Sequence, residues 1–202
     1  MTTIYFVRHA QSDHSINDEK LRPLTEEGRK DSKKVTEILL DKHIDFLISS
    51  PYIRSKDTIA DLSEKLGLQI HTDEDFRECN VGGWLGDDFL DYIERQWVGF
   101  HYHMEGGECL AEVQNRSINA LMRVLKEHNN ESIVLATHGI ALSTMIQYYY
   151  PEYYFSDFFR MLRFLPYVVK MEFDNEYRCV SMEELLIVKK IKLENKPLGI
   201  KA

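Results

Sequence analysis

Short apolar segments alternate with longer segments of helical periodicity along most of this 202-residue chain. The short segments are rich in β-branched and aromatic residues and predict buried strands at residues 4–7, 45–50, 68–71 and 132–137. The longer segments place apolar residues on one face and predict helices at residues 25–42, 52–66, 108–127 and 139–150. Strands that alternate with helices form mostly parallel sheets covered by helices on both faces. The sequence therefore predicts an α/β fold, a three-layer α/β/α sandwich.

Two further stretches complete this fold prediction. Residues 167–173 and 177–181 predict a hairpin, which would add an antiparallel edge to the sheet. Residues 78–108 are irregular and rich in aromatic residues, and we interpret them as an insertion that covers the substrate. With 44% hydrophobic residues, the whole chain, residues 1–202, is expected to form a single domain that includes this insertion.

The charge and the cysteine content restrict the partners and the location. The formal net charge of −8 argues against nucleic acid or an anionic membrane as a partner, because an acidic surface repels both. No apolar stretch is long enough to predict a membrane span. The three cysteines lie far apart and lack C-x-x-C spacing, which predicts a reducing, cytoplasmic setting. The sequence does not predict an oligomeric state.

Polar residues follow three of the predicted strands at the point where each strand ends. Arg8 and His9 follow the first strand, Arg54 lies shortly after the second, and His138 follows a later one. Ligands of such sheets bind outside the carboxyl ends of the strands. We therefore expect these side chains to converge on one site.

Two arginines and two histidines in one crevice favour a phosphate ester as the substrate. Guanidinium groups pair with phosphate oxygens, and an imidazole can attack phosphorus. Arg8, Arg54 and a protonated His138 would neutralise the phosphoryl oxygens, so neither a metal nor a cofactor is expected. The helix that begins at Gly139 would add backbone N–H donors for the same phosphate.

The leaving oxygen of an ester also needs a proton. Glu78, at the start of the insertion, is the carboxyl group that we predict as the acid and then as the base that activates water. Its acidic neighbours are interpreted as a solvated charge run. The alternative carboxyl groups for this role are Asp13, Glu108, Asp87 and Asp88.

Six short motifs occur in order along the chain. They are residues 8–10 (RHA), 22–29 (RPLTEEGR), 49–54 (SSPYIR), Arg77 and Glu78 with Gly82 and Trp84, 106–108 (GGE) and 137–139 (THG). Together they resemble the motifs of the histidine phosphatase superfamily, which includes the cofactor-dependent phosphoglycerate mutases. The resemblance covers much of the chain and implies a phosphoglycerate mutase-like fold.

The resemblance also implies a role for each matching residue. His9 would be the nucleophile, and Arg8, Arg54 and His138 would hold the phosphoryl group. Glu78 would be the acid and the base. The assignment from residue chemistry agrees with these roles.

One departure from the family pattern concerns the phosphate ligands. Relatives often carry R-H-G-E/Q-T-x-x-N, whereas here the nearest asparagine, Asn17, lies two residues late. Gln11, Ser12 and Gly139 are predicted as phosphate ligands. Either Ser15 or Asn17 would replace the usual asparagine contact.

These observations predict a phosphomonoester hydrolase in which water takes the phosphoryl group from His9. The alternative is a mutase, which returns the group to the same small metabolite. A second phosphate should require further cations in the insertion, where Arg95 is the only permanent cation from Glu78 to Glu108, so hydrolysis is favoured. A module that only binds phosphate would lack the nucleophile or the acid. The expected partner is a small phosphorylated substrate, and a phosphoprotein is less favoured.

Overall fold

The computed structural model describes residues 1–83 and 85–188 of the chain. Its strands are β1 (Thr2–Arg8), β2 (Phe46–Ser49), β3 (Ile70–Thr72), β4 (Ser132–Thr137), β5 (Tyr167–Phe173) and β6 (Cys179–Ile187). Its α-helices are α1 (Glu26–Leu39), α2 (Ile53–Leu66), α3 (Phe89–Val98), α4 (Leu110–Glu127), α5 (Gly139–Tyr149) and α6 (Phe155–Met161). Among the described residues, none of the helices combines the length and the apolar character needed to cross a bilayer.

The six strands form one sheet in the order β3-β2-β4-β1-β5-β6. The first four strands of this order run parallel to one another, whereas β5 and β6 are antiparallel to their neighbours. The predicted sheet, mostly parallel with an antiparallel edge, is therefore confirmed. In this order β4 lies between β1 and β2, which brings the carboxyl ends of these three strands side by side.

Alternate residues of β1 pack into two separate clusters on opposite faces of the sheet. Ile4 and Phe6 belong to the cluster that includes the buried residues of α4 and α5. Tyr5 and Val7 belong to the cluster that includes α1 and α2. Successive side chains of a strand point to opposite faces, so this division places helices on both sides of the sheet. The predicted three-layer arrangement follows directly.

The segment at 78–108 is less irregular than predicted, because it contains helix α3. Tyr92, Ile93 and Trp97 are buried on one side of α3 and pack into the larger cluster. Their helical spacing is visible in the sequence, but the high aromatic content was interpreted as an absence of periodicity. Helix α6 lies between residues 150 and 167, where the sequence analysis predicts no element.

Two strands differ from the predicted bounds. β3 covers Ile70–Thr72 instead of residues 68–71, because Gly67 ends α2 in the left-handed region with φ of 67° and the chain needs further residues to reach β2. β6 extends to Ile187 rather than 181, because it pairs with the whole length of β5.

The loop that follows β1 lies directly on the first turn of α1. Thr25 caps this helix by accepting a hydrogen bond from Gly28 N (2.9 Å), and its own N–H donates to the carbonyl oxygen of Gln11 (3.0 Å). A Cβ atom on Gly28 would lie 2.1 Å from that same oxygen. Glycine at this position therefore allows the loop that carries Ser12 to approach the helix.

We expect Gly28→Ala to lower the free energy of unfolding by about 2 kcal/mol or more, although alanine is the better helix former by about 1 kcal/mol. The added Cβ would overlap with a backbone oxygen, and no side-chain rotation can relieve that contact. Urea unfolding measures the difference. Gly99→Ala is the matched control, because its Cβ would make only ordinary contacts, the nearest at 3.6 Å. Equal losses in the two variants would contradict the close packing at Gly28.

Candidate active site

A cavity of about 1060 Å³ opens where the carboxyl ends of β1, β2 and β4 meet. Backbone hydrogen bonds extend the strand pairing into this edge, from His9 N to Thr137 O (3.1 Å) and from Ser50 N to Ala136 O (2.9 Å). His138, which follows β4, is fully buried and is not among the described lining residues. Residues predicted from the sequence that line the cavity are Arg8, His9, Ser12, Arg54, Glu78 and Gly139.

His9 presents one ring nitrogen to the positive side chains of the site. Its Nδ1 lies 2.7 Å from the carbonyl oxygen of Ala10, and a carbonyl oxygen only accepts, so Nδ1 carries the proton. Nε2 therefore has a free electron pair, which accepts a hydrogen bond from Arg54 Nε (3.2 Å). Burial holds the pKa of His9 well below its usual value, and the charges of Arg54 and Arg8 lower this pKa further. The ring is thus neutral at neutral pH.

The ring of His138 lies 5.3 Å from that of His9, measured between centroids. Its Nε2 is 2.6 Å from Ser50 Oγ, while its buried Nδ1 has no hydrogen-bond partner within the described residues. Burial holds the pKa of His138 well below its usual value, and Arg54 and His9 add to the effect. This shift favours a neutral imidazole in the structure, so a protonated His138 on a bound phosphoryl group stays a prediction.

Arg8 is buried at the end of β1 and is held by helix α6. Its Nη1 donates to the carbonyl oxygens of Met161 (2.9 Å) and Phe164 (3.0 Å). Burial lowers the pKa of Arg8 to about 10, and the charge of Glu78 opposes this shift, so the guanidinium stays positive at neutral pH. A Cβ atom on Gly139 would lie 3.3 Å from Arg8 Nε, so glycine there gives the guanidinium space against the start of α5.

Arg54 is buried in the first turn of α2, next to His9. Its guanidinium carbon lies 5.0 Å from the centre of the Tyr52 ring. Its Nη2 forms an ion pair with Glu19 (2.9 Å), whose other carboxylate oxygen pairs with Arg22 (2.7 Å). Burial lowers the pKa of Arg54, whereas the charge of Glu19 raises it. Glu19 has no signal in the sequence, because it lies in a polar loop, away from any strand end.

Glu78 lies at the N-terminus of α5. Its carboxylate accepts hydrogen bonds from the backbone N–H groups of Cys79 (2.9 Å), Ile140 (3.2 Å) and Ala141 (3.1 Å). Two of the helix donors that were expected to bind phosphate are therefore occupied by this carboxylate. The arrangement brings a carboxyl group to the cavity, at the start of a helix, where a negative charge is favourable.

An ion pair between Glu108 and Arg116 holds the chain segment that precedes Glu78. Arg116 donates to the carbonyl oxygens of Asp75, Arg77 and Glu78 at 2.7 to 3.2 Å and to both carboxylate oxygens of Glu108. Burial would raise the pKa of Glu108, but hydrogen bonds from Arg116 and Asn80 outweigh burial and keep this pKa low. Glu108, one of the alternative acids, therefore serves as a structural anion.

The other alternative acids also lie away from the described lining of the cavity, which does not include Asp13, Asp87 or Asp88. Asp13 accepts hydrogen bonds from the backbone N–H and the hydroxyl group of Ser15, which lower its pKa. Ser15 is thereby turned towards Asp13. Of the two candidates to replace the usual asparagine, Asn17 lines the cavity and Ser15 does not.

The predicted phosphate ligands Ser12 and Gln11 have different positions. Ser12 Oγ is buried at the cavity and has no hydrogen-bond partner among the described residues. The side chain of Gln11 instead accepts a hydrogen bond from Thr25 Oγ1 (3.2 Å), and Gln11 is absent from the described lining. The structure therefore does not bring Gln11 to the site, because the start of α1 holds its side chain.

The remaining lining has a polar part and an apolar part. The polar part includes His14, Asn17, Lys20, Arg22, Glu74 and Arg77. The apolar part includes Val81, Leu85, Phe89, Phe158, Leu162 and Leu165. Further cations thus reach the cavity from the loop before α1 and from Arg77, whereas Arg95 is not among the described lining residues. Trp84, which was part of one sequence motif, lies outside the described residues.

Comparisons with known proteins relate the chain to phosphate-transferring enzymes. The model of the histidine phosphatase superfamily (branch 1) matches residues 4–182. Phosphoserine phosphatase 1 of Hydrogenobacter thermophilus is 31% identical over 157 residues, which cover 72% of this chain and 74% of that protein. GpmB of Salmonella choleraesuis, named a probable phosphoglycerate mutase, is 26% identical over 159 residues, with 72% and 74% coverage. YhfR of Bacillus stearothermophilus has a similar fold, with a TM-score of 0.71, 22% identity and coverage of 89% and 94%.

We expect nitrogen NMR of histidine-labelled protein to show neutral rings for His9 and His138 at pH about 6.5, where a free imidazole is half protonated. The reason is the burial of both rings beside Arg8 and Arg54, which lowers their pKa values. The His9 proton should reside on Nδ1. An imidazolium spectrum from either ring at that pH would contradict a neutral site.

The lowered pKa values of His9 and His138 also set how the stability of the fold depends on pH. Below pH about 6.5 the unfolded chain binds protons that the folded site does not. The contribution of the two rings to stability is therefore complete above that pH and is lost as the pH falls towards their folded-state pKa values. Urea unfolding of the wild type across this range, compared with His138→Gln, measures the contribution of one ring, and an identical pH slope in the two proteins would oppose the assignment.

Proposed function

The chain belongs to the histidine phosphatase superfamily, and from this membership we propose that it is a phosphomonoester hydrolase in which His9 is the nucleophile. The resemblance seen in the sequence is confirmed. So is the enzyme class, a phosphatase or phosphoglycerate mutase of this superfamily. The roles of the individual residues and the choice of hydrolysis are our proposals.

The observation that carries the proposal is the tautomer of His9. Its Nδ1 proton is engaged by the carbonyl oxygen of Ala10, so Nε2 keeps its electron pair, which accepts a hydrogen bond from Arg54 Nε that an incoming phosphoryl group would replace. The low pKa of His9 keeps that electron pair unprotonated at neutral pH. Arg54 and Arg8 supply positive charge beside it for the three oxygens of a phosphoryl group.

In the first step, Nε2 of His9 forms a bond to phosphorus while the bond between phosphorus and the leaving oxygen breaks. Glu78, in its protonated form, gives its proton to that oxygen, so the alcohol leaves neutral. In the second step, the Glu78 carboxylate takes a proton from water, and the resulting hydroxide attacks phosphorus. The bond to Nε2 breaks, and inorganic phosphate leaves.

His138 would change its charge when the substrate binds. The pKa of its imidazole is low beside two guanidinium groups, and a phosphate dianion would offset those charges and raise it. A proton taken up by His138 would then add a charged hydrogen bond to the phosphoryl group. Ser12 Oγ, which is buried and has no partner among the described residues, is suited to donate another.

We propose a small phosphorylated metabolite as the substrate. The relatives are named for phosphoserine and for phosphoglycerate, both of which are small phosphate monoesters. We also propose that residues 78–108 act as an insertion that covers the substrate, since Val81, Leu85 and Phe89 line the cavity. A cytoplasmic location is part of the same proposal, because all three cysteines are free thiols.

A mutase is the second candidate, because the chain resembles GpmB and because Lys20, Arg22 and Arg77 line the cavity. These cations weaken the argument against a second phosphate that was based on residues 78–108 alone. Hydrolysis remains our proposal because Glu19 already neutralises part of this charge by pairing with Arg22 and Arg54. The two functions differ in whether the product is inorganic phosphate.

The direct test is a phosphate-release screen over phosphoserine, phosphoglycerates, sugar phosphates and nucleotides, with a mutase assay on the same samples. We expect phosphate release without isomerisation, and we expect the activity to survive EDTA because arginines provide the charge. Isomerisation without net phosphate release would favour the mutase. Loss of activity with EDTA and recovery with one defined metal would contradict the charge neutralisation proposed here.

We expect Glu78→Gln to slow phosphoryl transfer from alkyl esters about 10²–10⁴-fold, and transfer from nitrophenyl phosphate much less. An alkoxide leaves poorly without a proton, whereas nitrophenolate does not need one. Single-turnover measurements must separate phosphorylation of the enzyme from its hydrolysis, because Glu78 would act in both steps.

Two controls accompany this variant. Glutamine keeps an oxygen that can accept hydrogen bonds at the start of α5, so the thermal midpoint and the affinity for inorganic phosphate should change little. Glu74→Gln removes a carboxylate from another part of the cavity lining and should not distinguish the two esters. If Glu78→Gln slowed phosphorylation by both esters to the same extent, Glu78 would not be the acid.

A further inference from the structure

The loop before α1 places a carboxylate between two buried arginines. Glu19 Oε1 lies 2.7 Å from Arg22 Nη2, and Oε2 lies 2.9 Å from Arg54 Nη2. The side chains of the arginines are 4% and 3% exposed, whereas that of Glu19 is 51% exposed. All three residues line the cavity. The carboxylate of Glu19 is therefore already paired with the guanidinium groups that a second anionic group of a substrate would need.

The other nitrogens of Arg22 already have partners within the protein. Its Nε donates to the carbonyl oxygen of Ile16 (3.0 Å), and its Nη1 lies 3.3 Å from His14 Nδ1. Nη2, the end of the guanidinium that pairs with Glu19, is what remains for a ligand. An incoming carboxylate or phosphate would have to displace Glu19 or accept its repulsion.

Binding of the phosphoryl group does not require Arg22 to release Glu19. It needs the part of the site around His9, where Arg54 Nε points at Nε2 of the ring. Arg8 contributes its charge there, and its Nη1 donates to the carbonyl oxygens of Met161 and Phe164. One phosphate can therefore bind while the pair between Glu19 and Arg22 stays intact.

We propose that Glu19 is a specificity-determining residue that selects against substrates whose leaving group carries a second negative charge. This inference rests on the proposed function, and it deepens it by defining the substrate class: monophosphates with a neutral or cationic group next to the ester. A bisphosphorylated intermediate, which a mutase must hold, would be disfavoured by the same carboxylate.

Glu19→Gln separates the charge of this residue from its role in packing. Glutamine has nearly the same shape and can still accept a hydrogen bond from an arginine. Arg54 also keeps two contacts that do not involve the carboxylate, the backbone oxygen of Glu19 and the ring of Tyr52. The substitution should therefore leave Arg54 in place and remove the competing anion.

The test compares 3-phosphoglycerate with glycerol 1-phosphate, which share one skeleton and differ by a carboxylate in place of a hydroxymethyl group. We expect Glu19→Gln to raise the ratio of kcat/KM for 3-phosphoglycerate to that for glycerol 1-phosphate by about tenfold. The effect is smaller than that expected for a buried charge, because Glu19 is half exposed and solvent screens it. Glu74→Gln, which removes a cavity charge that is not paired with these arginines, should change the ratio less than about twofold.

An unchanged or lowered ratio in Glu19→Gln would overturn the inference, and so would an equal rise in Glu74→Gln. Titration calorimetry of both compounds, in His9→Asn and in the double variant with Glu19→Gln, measures the same preference as a ratio of dissociation constants without turnover. If the wild type hydrolyses neither compound nor any other monoester, the proposed function fails. The calorimetric ratio then decides the inference by itself, since a shift supports it and no shift overturns it.

Discussion

Arg8 and Arg54 lie almost fully buried against a pair of histidines, and the rest of the site depends on how that positive charge is accommodated. A buried guanidinium is costly unless hydrogen bonds and opposite charges compensate it. Arg8 is compensated by one carbonyl oxygen at the end of α6, one beyond it and the charge of Glu78, and Arg54 is compensated by Glu19. Neither imidazole is paired with a carboxylate among the described residues, and burial keeps both neutral. Neutrality leaves Nε2 of His9 unprotonated next to two cations, and it can attack a phosphate ester once the hydrogen bond from Arg54 Nε is given up.

Glu78, the proposed acid, comes from a different part of the chain than His9, the proposed nucleophile. Glu78 lies at the N-terminus of α5, and its backbone oxygen is bound by Arg116 from α4, which is itself anchored on Glu108. The proposed proton donor is thus held by packing between helices on one face of the sheet, while the proposed nucleophile follows a central strand. A substrate bound between them would contact both groups, and each group is held by a separate part of the fold.

The sequence predicted what depends on local pattern. Strands such as β4, bounded at Ser132–Thr137 by the apolar run itself, and the polar residues that follow them are visible in one segment at a time. Contacts between distant segments were not visible. The pairing of Glu19 with Arg54, the capture of Gln11 by Thr25 and the neutral state of His138 each depend on groups that the fold brings together. Helix α3 was hidden for another reason, because its buried aromatic face was taken for an irregular segment.

The central claim is that Nε2 of His9 carries the phosphoryl group between the two steps. Rapid quenching of the enzyme into alkali during turnover of a phosphate ester, followed by phosphorus NMR and mass mapping of the denatured protein, tests it directly, because phosphohistidine survives base and is lost in acid. The account predicts one phosphorylated residue, His9, modified on the ring nitrogen Nε2. A phosphoryl group on Nδ1 of His9 or on another residue, or turnover with no phosphorylated enzyme at any time, would contradict it.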